Sequence, residues 1–262
     1  MNQRLSAKRV TLRYDQRTVS RDLSVAIPDG SFTVIVGPNA CGKSTLLRAL
    51  SRLLVPSAGQ VVLDGKDIRE LPARDAARRL GLLPQSPLAP DGITVADLVG
   101  RGRYPHQSFL RQWSREDASA VEEALVSTNI TELADRFVGE LSGGQRQRVW
   151  IAMALAQQTP ILLLDEPTTY LDISHQIEVL DLLATLNDEG RTIVAVLHDL
   201  NQACRYASHL IAMREGTIVA QGEPAAIVDS ALVERVFGLS ALVIPDPESG
   251  TPMIVPHKRR PS

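Results

Sequence analysis

The sequence predicts an α/β fold with a central, mostly parallel β-sheet, and three apolar stretches predict it. They lie at residues 32–36 (FTVIV), within 160–167 (PILLLDEP) and within 192–200 (TIVAVLHDL). Uninterrupted apolar residues over this length are typical of strands that are buried on both faces. In open α/β sheets, ligands bind in a crevice at the carboxyl ends of such strands. We therefore expect functional residues directly after these runs.

A glycine loop, GPNACGKST, joins the first of these strands to a helical pattern. Gly37 and Gly42 permit the turn and a close backbone approach, so that N–H groups face an anion at the helix start. We expect Lys43 to reach the β- and γ-phosphates of a nucleotide, Ser44 to offer its hydroxyl to Mg²⁺, and Thr45 to lie on the α-phosphate side. The alternative is an ordinary strand-to-helix turn. The predicted nucleotide-binding loop consists of Gly37, Pro38, Asn39, Ala40, Cys41, Gly42, Lys43, Ser44 and Thr45.

Four polar side chains follow other apolar strands, where the ligand crevice is expected. Asp165 and Glu166 end the second run, and two carboxylates at the exit of a buried strand are costly unless they are paired or bind a metal. Asp165 suits Mg²⁺, and Glu166 can orient or deprotonate an attacking water. His198 ends the third run, and Gln85 ends a shorter apolar strand. Taken alone, Gln85 is an ordinary polar strand terminus.

A second glycine loop, ELSGGQ, opens an amphipathic helical pattern that extends to residue 157. Ser142 occupies the position of an N-cap, and the N–H groups of Gly143 and Gly144 would make a further anion-binding helix end. A plain helix cap is the alternative. Because one nucleotide hardly needs two distant loops of one chain, we expect a dimer in which each second loop completes the partner's first site.

Composition indicates a globular protein and excludes few classes of function. The chain has 262 residues, 44% of them hydrophobic, with 28 Lys and Arg against 30 Asp and Glu, so nothing indicates a nucleic-acid partner. The N-terminal residues lack the apolar core of a signal peptide, and no apolar run is long enough for a membrane span, so a cytoplasmic location is expected. Cys41 and Cys204 lack metal-ligand spacing and are expected to be reduced. If its thiol is accessible, Cys41 should react with a maleimide.

The rest of the chain predicts scaffold around these motifs. Strands are expected within residues 5–36, a hairpin with an Asp64–Gly65 turn within 56–68, and a helical insertion from about 86 to 136 in which Ser114 and Asp117 form a cap. Tyr14 could stack on adenine or could simply pack on its strand neighbours. A terminal hairpin and a frayed basic end are expected in the tail. The face of the helix after the first loop is predicted to comprise Leu46, Leu47, Leu50, Leu53 and Leu54.

The motifs together resemble the ATP-binding-cassette (ABC) ATPases. The resemblance rests on GPNACGKST, Gln85, LSGGQ, ILLLDEP, Leu171 with Asp172, and His198, and it covers essentially the whole chain. It implies a P-loop NTPase fold of one domain. Residues 1–85 and 158–240 would form the nucleotide-binding core with an antiparallel β subdomain, 86–157 the helical subdomain with the signature motif, and 241–262 a hairpin and tail.

The same resemblance implies a role for each motif residue in a head-to-tail dimer. Adenine would lie against Tyr14, and His198 would contact the γ-phosphate while Glu166 polarises the water. Asp172 would lie at the dimer seam. The resemblance implies three further sets of residues: Mg²⁺ would bind near Ser44, Gln85 and Asp165, the catalytic groups would be Glu166, His198, Lys43 and Gln85, and the partner's ATP would meet Ser142, Gly143, Gly144 and Gln145.

The segments between the motifs are similar to the ATPases of ferric-siderophore importers, whose relatives carry cobalamin and haem. This resemblance implies a homodimer or paired cassette, membrane permease subunits, an extracytoplasmic siderophore-binding protein and a peripheral position on the cytoplasmic face of the cell membrane. A cobalamin or haem importer is the alternative substrate class. A non-transport ABC ATPase would be expected to carry a long coiled-coil insertion or a second cassette, and a non-catalytic regulatory module is opposed by Glu166 and His198.

Overall fold

The computed structural model describes residues 3–85, 87–107, 113–169 and 171–258. Ser86, the predicted start of the helical subdomain, and the last four residues of the predicted tail lie outside the described residues. The strands are β1 Leu5–Tyr14, β2 Arg17–Ile27, β3 Phe32–Val36, β4 Ala58–Leu63, β5 Lys66–Asp67, β6 Leu80–Leu83, β7 Ile161–Asp165, β8 Thr192–Val196, β9 His209–Arg214, β10 Thr217–Gly222, β11 Ala241–Pro245 and β12 Pro252–Pro256. The helices are α1 Lys43–Leu50, α2 Ala73–Ala77, α3 Val95–Gly100, α4 Arg115–Ser127, α5 Gly143–Ala156, α6 Ile173–Asp188, α7 Leu200–Tyr206, α8 Pro224–Ile227 and α9 Ser230–Phe237, with 3₁₀ turns at Arg101–Arg103, Thr131–Leu133 and Val138–Glu140.

The chain divides into two compact units that differ from the predicted subdivision. The first combines Met1–Arg69 with Val194–Ser262, and the second is Glu70–Ile193. The boundaries after residues 69 and 193 reflect packing density, whereas the predicted boundaries after residues 85 and 157 follow the motifs. The predicted subdomain limits therefore stay a prediction.

The first unit contains the antiparallel sheet and the strand that leads to the phosphate loop. Strands β2, β1, β4 and β5 are neighbours in that order, with Leu5 opposite both Ile27 and Leu63. Asp64 and Gly65 have φ of 50° and 81°, which is the left-handed geometry of a two-residue hairpin turn, as predicted. In a second sheet of this unit the order is β10, β9, β3 and β8, with β3 parallel to β9, and β11 and β12 form a third, antiparallel sheet.

The prediction of the apolar face of α1 is wrong at the C-terminal end of the helix. The helix stops at Leu50, and Leu53 is 63% exposed. Leu46, Leu47 and Leu50 are fully buried, as the periodicity predicts. The helix therefore supplies only two turns of core packing before the chain leaves for β4.

The second unit pairs β6 with β7 in parallel and packs helices α3, α4 and α5 together. Ser114 and Asp117 form the predicted capping box at the start of α4, with Asp117 N donating to Ser114 Oγ at 3.2 Å. Asp117 also accepts from Arg103 Nε at 2.8 Å, and both side chains are buried. Burial opposes ionisation of Asp117, but the hydrogen bonds from Arg103 and Ser114 lower its pKa. The architecture is thus α/β, with a mixed, mostly parallel sheet and a separate antiparallel sheet, as predicted.

No helix within the described ranges is long and apolar enough to cross a membrane.

Candidate functional site

The phosphate loop lies between β3 and α1, and its last glycine begins the helix. Gly42 is the N-cap of α1 with φ of 108°, and no side chain caps the helix. A helix N-terminus without a side-chain cap presents its backbone dipoles to an external anion. Asn39 and Ala40 lie exposed at the loop tip, and Thr45 is buried in the first turn of α1.

Lys43 is the buried cation of this loop, with only 5% of its surface exposed. Its Nζ donates to the carbonyl oxygens of Gly37 and Pro38, each at 2.9 Å. Both acceptors are neutral, and no ion pair to Lys43 occurs among the residues that the structure describes. A buried ammonium held by neutral groups fits an incoming anion, because a nearby negative charge would offset its desolvation. The surroundings of Lys43 therefore suit a phosphate ligand.

The backbone of neighbouring segments holds the loop in shape. A Cβ on Gly37 would lie 2.2 Å from Met213 O and 2.8 Å from Cys41 Sγ. Gly216 N donates to Cys41 O at 2.9 Å, and a Cβ on Gly216 would lie 1.8 Å from Val19 O. These approaches exclude any side chain at either glycine. The loop is thus held by backbone atoms of β9 and of the turn after β9, and that turn packs closely against β2.

Cys41 is buried, so the accessible thiol on which its expected labelling depends is not found. Burial raises the pKa of this thiol, and the charge of Lys43 only partly offsets the effect. Cys204 is also a buried unpaired thiol, and burial raises its pKa to about 12. Both cysteines are free thiols in the structure, and their reduced state in the cell stays a prediction.

Tyr14 and His198 are the other predicted site residues of the first unit. Tyr14 ends β1 with 40% of its surface exposed, and its hydroxyl accepts from Arg48 Nη1 at 3.3 Å. His198 follows β8 and is exposed. The preceding Leu197 N donates to Ile35 O at 3.3 Å, so the exit of β8 lies beside the strand that enters the phosphate loop.

The second unit brings Gln85 and Glu166 together. Gln85 Nε2 donates to Glu166 Oε2 at 2.6 Å, and Thr169 Oγ1 donates to the same oxygen at 3.2 Å. Glu166 is buried and has φ of 55°, an uncommon conformation for a non-glycine residue that marks many functional sites. Asp165, the last residue of β7, is 2% exposed. Thr169 had no predicted role, although it lies only three residues after Glu166 in the sequence.

The side chains predicted to bind Mg²⁺ carry oxygen donors, the type of ligand that Mg²⁺ prefers. No group of three or more His, Cys, Asp or Glu side chains able to hold a metal occurs in the described part of the chain. Mg²⁺ in nucleotide sites takes one or two protein oxygens and completes its shell with phosphate oxygens and waters. The hydroxyl of Ser44, the amide oxygen of Gln85 and the carboxylate of Asp165 are oxygen donors of that kind.

Side chains of the second glycine loop form hydrogen bonds with its own backbone N–H groups. Ser142 Oγ accepts from Gln145 N at 3.3 Å, and Gln145 Oε1 accepts from Ser142 N at 3.1 Å. This is a capping box at the N-terminus of α5. Gly143 has open space around it, while a Cβ on Gly144 would lie 3.4 Å from Leu171. The cap that was the alternative interpretation is thus present, and it leaves the hydroxyl proton of Ser142 able to donate.

Two contacts connect this loop to the segment after Glu166. Gln147 Nε2 donates to Pro167 O at 2.9 Å, an interaction without any local sequence signal. Asp172 caps α6, where its Oδ1 accepts from His175 N at 3.0 Å and from Ser174 Oγ at 3.0 Å. These bonds, chiefly the one from the His175 backbone, lower the pKa of Asp172. Its carboxylate is 65% exposed, so a helix cap is the role that the described contacts account for.

The motifs and the fold both match known ABC proteins. Residues 20–169 match the ABC transporter family. The chain is 60% identical to the ferric enterobactin transport ATP-binding protein FepC of Escherichia coli (strain K12), over 98% of this chain and 95% of that protein. It is 54% identical to the probable siderophore transport system ATP-binding protein YusV of Bacillus subtilis (strain 168), over 97% and 93%.

Solved structures agree with the sequence comparison. A chain of an ABC transporter in an inward-facing conformation superposes with a TM-score of 0.84 at 29% identity, over 98% of this chain and 99% of that one. The dimeric bacterial ABC transporter cassette MJ0796 gives a TM-score of 0.76 at 29% identity, over 84% and 98%. The chain therefore belongs to the ABC transporter family, as an ATP-binding ATPase of that family.

Proposed function

We propose that this chain is the ATP-hydrolysing subunit of an importer for ferric siderophores. The observation that carries the proposal is the 60% identity to a ferric enterobactin transport ATP-binding protein, which extends over 98% of the chain. Relatives named for petrobactin and achromobactin are 53% and 52% identical, whereas relatives named for cobalamin import are 39% identical. Identity thus favours an iron chelate, with cobalamin as the alternative substrate.

The phosphate loop binds the nucleotide through Lys43 and the uncapped start of α1. Lys43 is already desolvated and held by two carbonyls, so a phosphate oxygen gains a charge-assisted hydrogen bond without further burial of the cation. Ser44, Gln85 and Asp165 hold Mg²⁺, which supplies neutralisation of phosphate charge. Tyr14 stacks on the adenine, because its ring is partly exposed at the end of β1.

Glu166 orients the attacking water. Gln85 and Thr169 both donate to its Oε2, which fixes the plane of the carboxylate. A fixed carboxylate can accept a proton from a water in a defined position. His198 contacts the γ-phosphate from the exit of β8.

Two cassettes form the complete enzyme, and each signature loop serves the partner's nucleotide. Ser142 and Gly144 contact that nucleotide, together with Gly143 and Gln145, and Asp172 lies at the seam. The dimeric state of the MJ0796 cassette supports this arrangement. The chain lies at the cytoplasmic face of the membrane on permease subunits, and an extracytoplasmic siderophore-binding protein delivers the substrate. Gln85 couples the Mg²⁺ site to the helical subdomain, so closure of the dimer moves the permease.

Uptake in the host tests the proposal directly. The gene for this chain is deleted, and uptake of radiolabelled iron on the host's siderophore is measured beside labelled cobalamin. We expect loss of iron uptake alone, restored by the wild-type chain and not by Glu166→Gln, because loss of a positioned general base costs about 10²–10⁴ in rate. Lost cobalamin uptake with normal iron uptake would overturn the substrate class, and rescue by Glu166→Gln would overturn the role of the carboxylate.

A further inference from the structure

The C-terminal hairpin formed by β11 and β12 holds the helix that follows His198. Helix α7, Leu200–Tyr206, begins two residues after His198, with Asp199 as its N-cap. A helix of two turns has little stability of its own, so packing against other elements sets its position. Two residues of α7 that lie one turn apart, Asn201 and Arg205, contact the hairpin.

Asn201 contacts β12 as a neighbouring strand would. Its Oδ1 accepts from Ile254 N at 2.7 Å, and its Nδ2 donates to Ile254 O at 3.3 Å. Ile254 lies opposite Val243 in the hairpin, and an edge strand of this kind presents unpaired backbone groups away from its partner. One side-chain amide therefore satisfies both backbone groups of a single strand residue. These two hydrogen bonds fix the distance of the first turn of α7 from β12 and its orientation relative to that strand.

Arg205 fixes the last turn of the same helix. Its Nη2 donates to Asp246 Oδ2 at 2.8 Å, and its Nη1 lies 3.4 Å from Glu248 Oε2. Asp246 is buried in the hairpin turn, where its other oxygen accepts from the backbone N–H groups of Glu248 and Ser249. The backbone hydrogen bonds to Oδ1 thus hold the carboxylate in place independently of the bond from Arg205 to Oδ2. Both ends of α7 are thus attached to the C-terminal hairpin.

His198 and the hairpin also line the same cavity. This cavity of about 280 Å³ is lined by His198 and the start of α7, by Ile254 and Pro256 of β12, and by residues of α9 and the loop after it, namely Val233, Phe237 and Leu239. Leu197 N donates to Ile35 O at 3.3 Å, so the backbone directly before His198 is attached to β3, and the backbone directly after it enters α7. A shift of α7 into the cavity would carry His198 with it.

We propose that the C-terminal hairpin positions His198 for ATP hydrolysis, and that Asn201 and Arg205 are positioning residues which act through α7. The inference rests on the proposed role of His198 at the γ-phosphate. It predicts that the hairpin contributes to turnover rather than to nucleotide binding, because Lys43 and the phosphate loop bind ATP without α7. Misplacement of a positioned group by about 1 Å costs up to about 10²-fold in rate.

The test compares Asn201→Asp and Asn201→Ala in the full-length chain. The aspartate keeps an acceptor for Ile254 N and loses the donor to Ile254 O, while alanine loses both. We expect kcat to fall in that order, by about threefold and about tenfold, with KM for ATP changed by less than about twofold. Arg205→Ala should lower kcat by about threefold with the same unchanged KM. The unfolding midpoint Tm is measured for every variant to show that the chains are folded.

Arg9→Ala is the matched control, because it removes an exposed ion pair to Asp22 at 2.8 Å in the same unit without touching α7. An Asn201→Ala chain with wild-type kcat, or with kcat and Tm reduced no more than in the control, would overturn the positioning role. A rise of KM without loss of kcat would overturn it too. His198→Ala distinguishes failure of the proposed role of His198 from failure of the hairpin inference. Wild-type kcat in His198→Ala would overturn the role of His198 itself. A reduced kcat in His198→Ala together with a normal kcat in Asn201→Ala would overturn the hairpin inference alone.

Discussion

Two helices of this chain start at a glycine loop, and their first turns are built in different ways. Helix α1 begins at Gly42 without a side-chain cap, beside a buried lysine whose ammonium is held by carbonyls. Helix α5 begins at Ser142 with a complete capping box. The first loop can bind an anion with its backbone and its cation. The second has internal partners for its backbone and offers an anion mainly the proton of one hydroxyl.

Of the two loops, only the first is built to bind an anion without a partner chain. A capped helix end is stable without a ligand, so the second loop contributes little affinity until a nucleotide is already bound elsewhere. The first loop holds a buried ammonium whose hydrogen-bond acceptors are neutral, so it provides the primary binding site for the nucleotide. This agrees with the proposal that a nucleotide binds first to one chain and is then closed over by the partner's second loop.

Substitution of Lys43 should remove the electrostatic difference between the two loops. Lys43→Ala removes the only charge of the first loop, so we expect kcat/KM for ATP to fall by about 10²–10³. Binding of a fluorescent ATP analogue should be lost in the same variant. Lys66→Ala is the control, because Lys66 is exposed in β5 and should leave both measurements unchanged. Normal nucleotide binding by Lys43→Ala would show that the first loop is not the primary site.

The origin of this contrast is only partly visible in the sequence. Capping by Ser142 and by Ser114, the Asp64–Gly65 turn and the buried strands all depend on neighbours within a few residues, and each was predicted. The exposure of Leu53 was missed, because the end of α1 depends on where the chain must turn towards β4. The hydrogen bonds between Asn201 and Ile254 span 53 positions and have no local signal. The same holds for the donation from Gln147 to Pro167, since only the assembled fold brings these groups together.

Substitution of Ser142 distinguishes a helix cap from a nucleotide contact at the second loop. Ser142→Ala removes the cap and the hydroxyl donor, so we expect about 1 kcal/mol lower stability and about a tenfold or greater loss of kcat. Nucleotide binding by the first loop should stay normal. Ser114→Ala is a matched control, since it removes the same kind of capping box from α4 and should lower stability by a similar amount with normal kcat. Equal effects of the two variants on kcat would reduce Ser142 to a helix cap.

The smallest expected effect concerns the thiol inside the first loop. Because burial raises the pKa of Cys41, less of it is thiolate at neutral pH than of an exposed cysteine, and alkylation should be slow there. The rate should increase as the pH rises past the ordinary pKa of a thiol, and ATP should slow it. Mass spectrometry after maleimide treatment distinguishes Cys41 from Cys204, which is fully buried and should react more slowly still. Rapid labelling of Cys41 at neutral pH would show that the loop opens.

The close backbone approaches at Gly37 and Gly216 have a thermodynamic consequence for nucleotide binding. Ordering a flexible residue costs about 1–2 kcal/mol in conformational entropy, and a glycine-containing loop would otherwise lose more than most. Here the carbonyl of Met213 lies against Gly37, and Gly216 N donates to Cys41 O, so both segments already confine the loop. Little of that entropy remains to be lost when ATP binds. The favourable enthalpy of the phosphate hydrogen bonds is therefore opposed by only a small entropic cost from the loop.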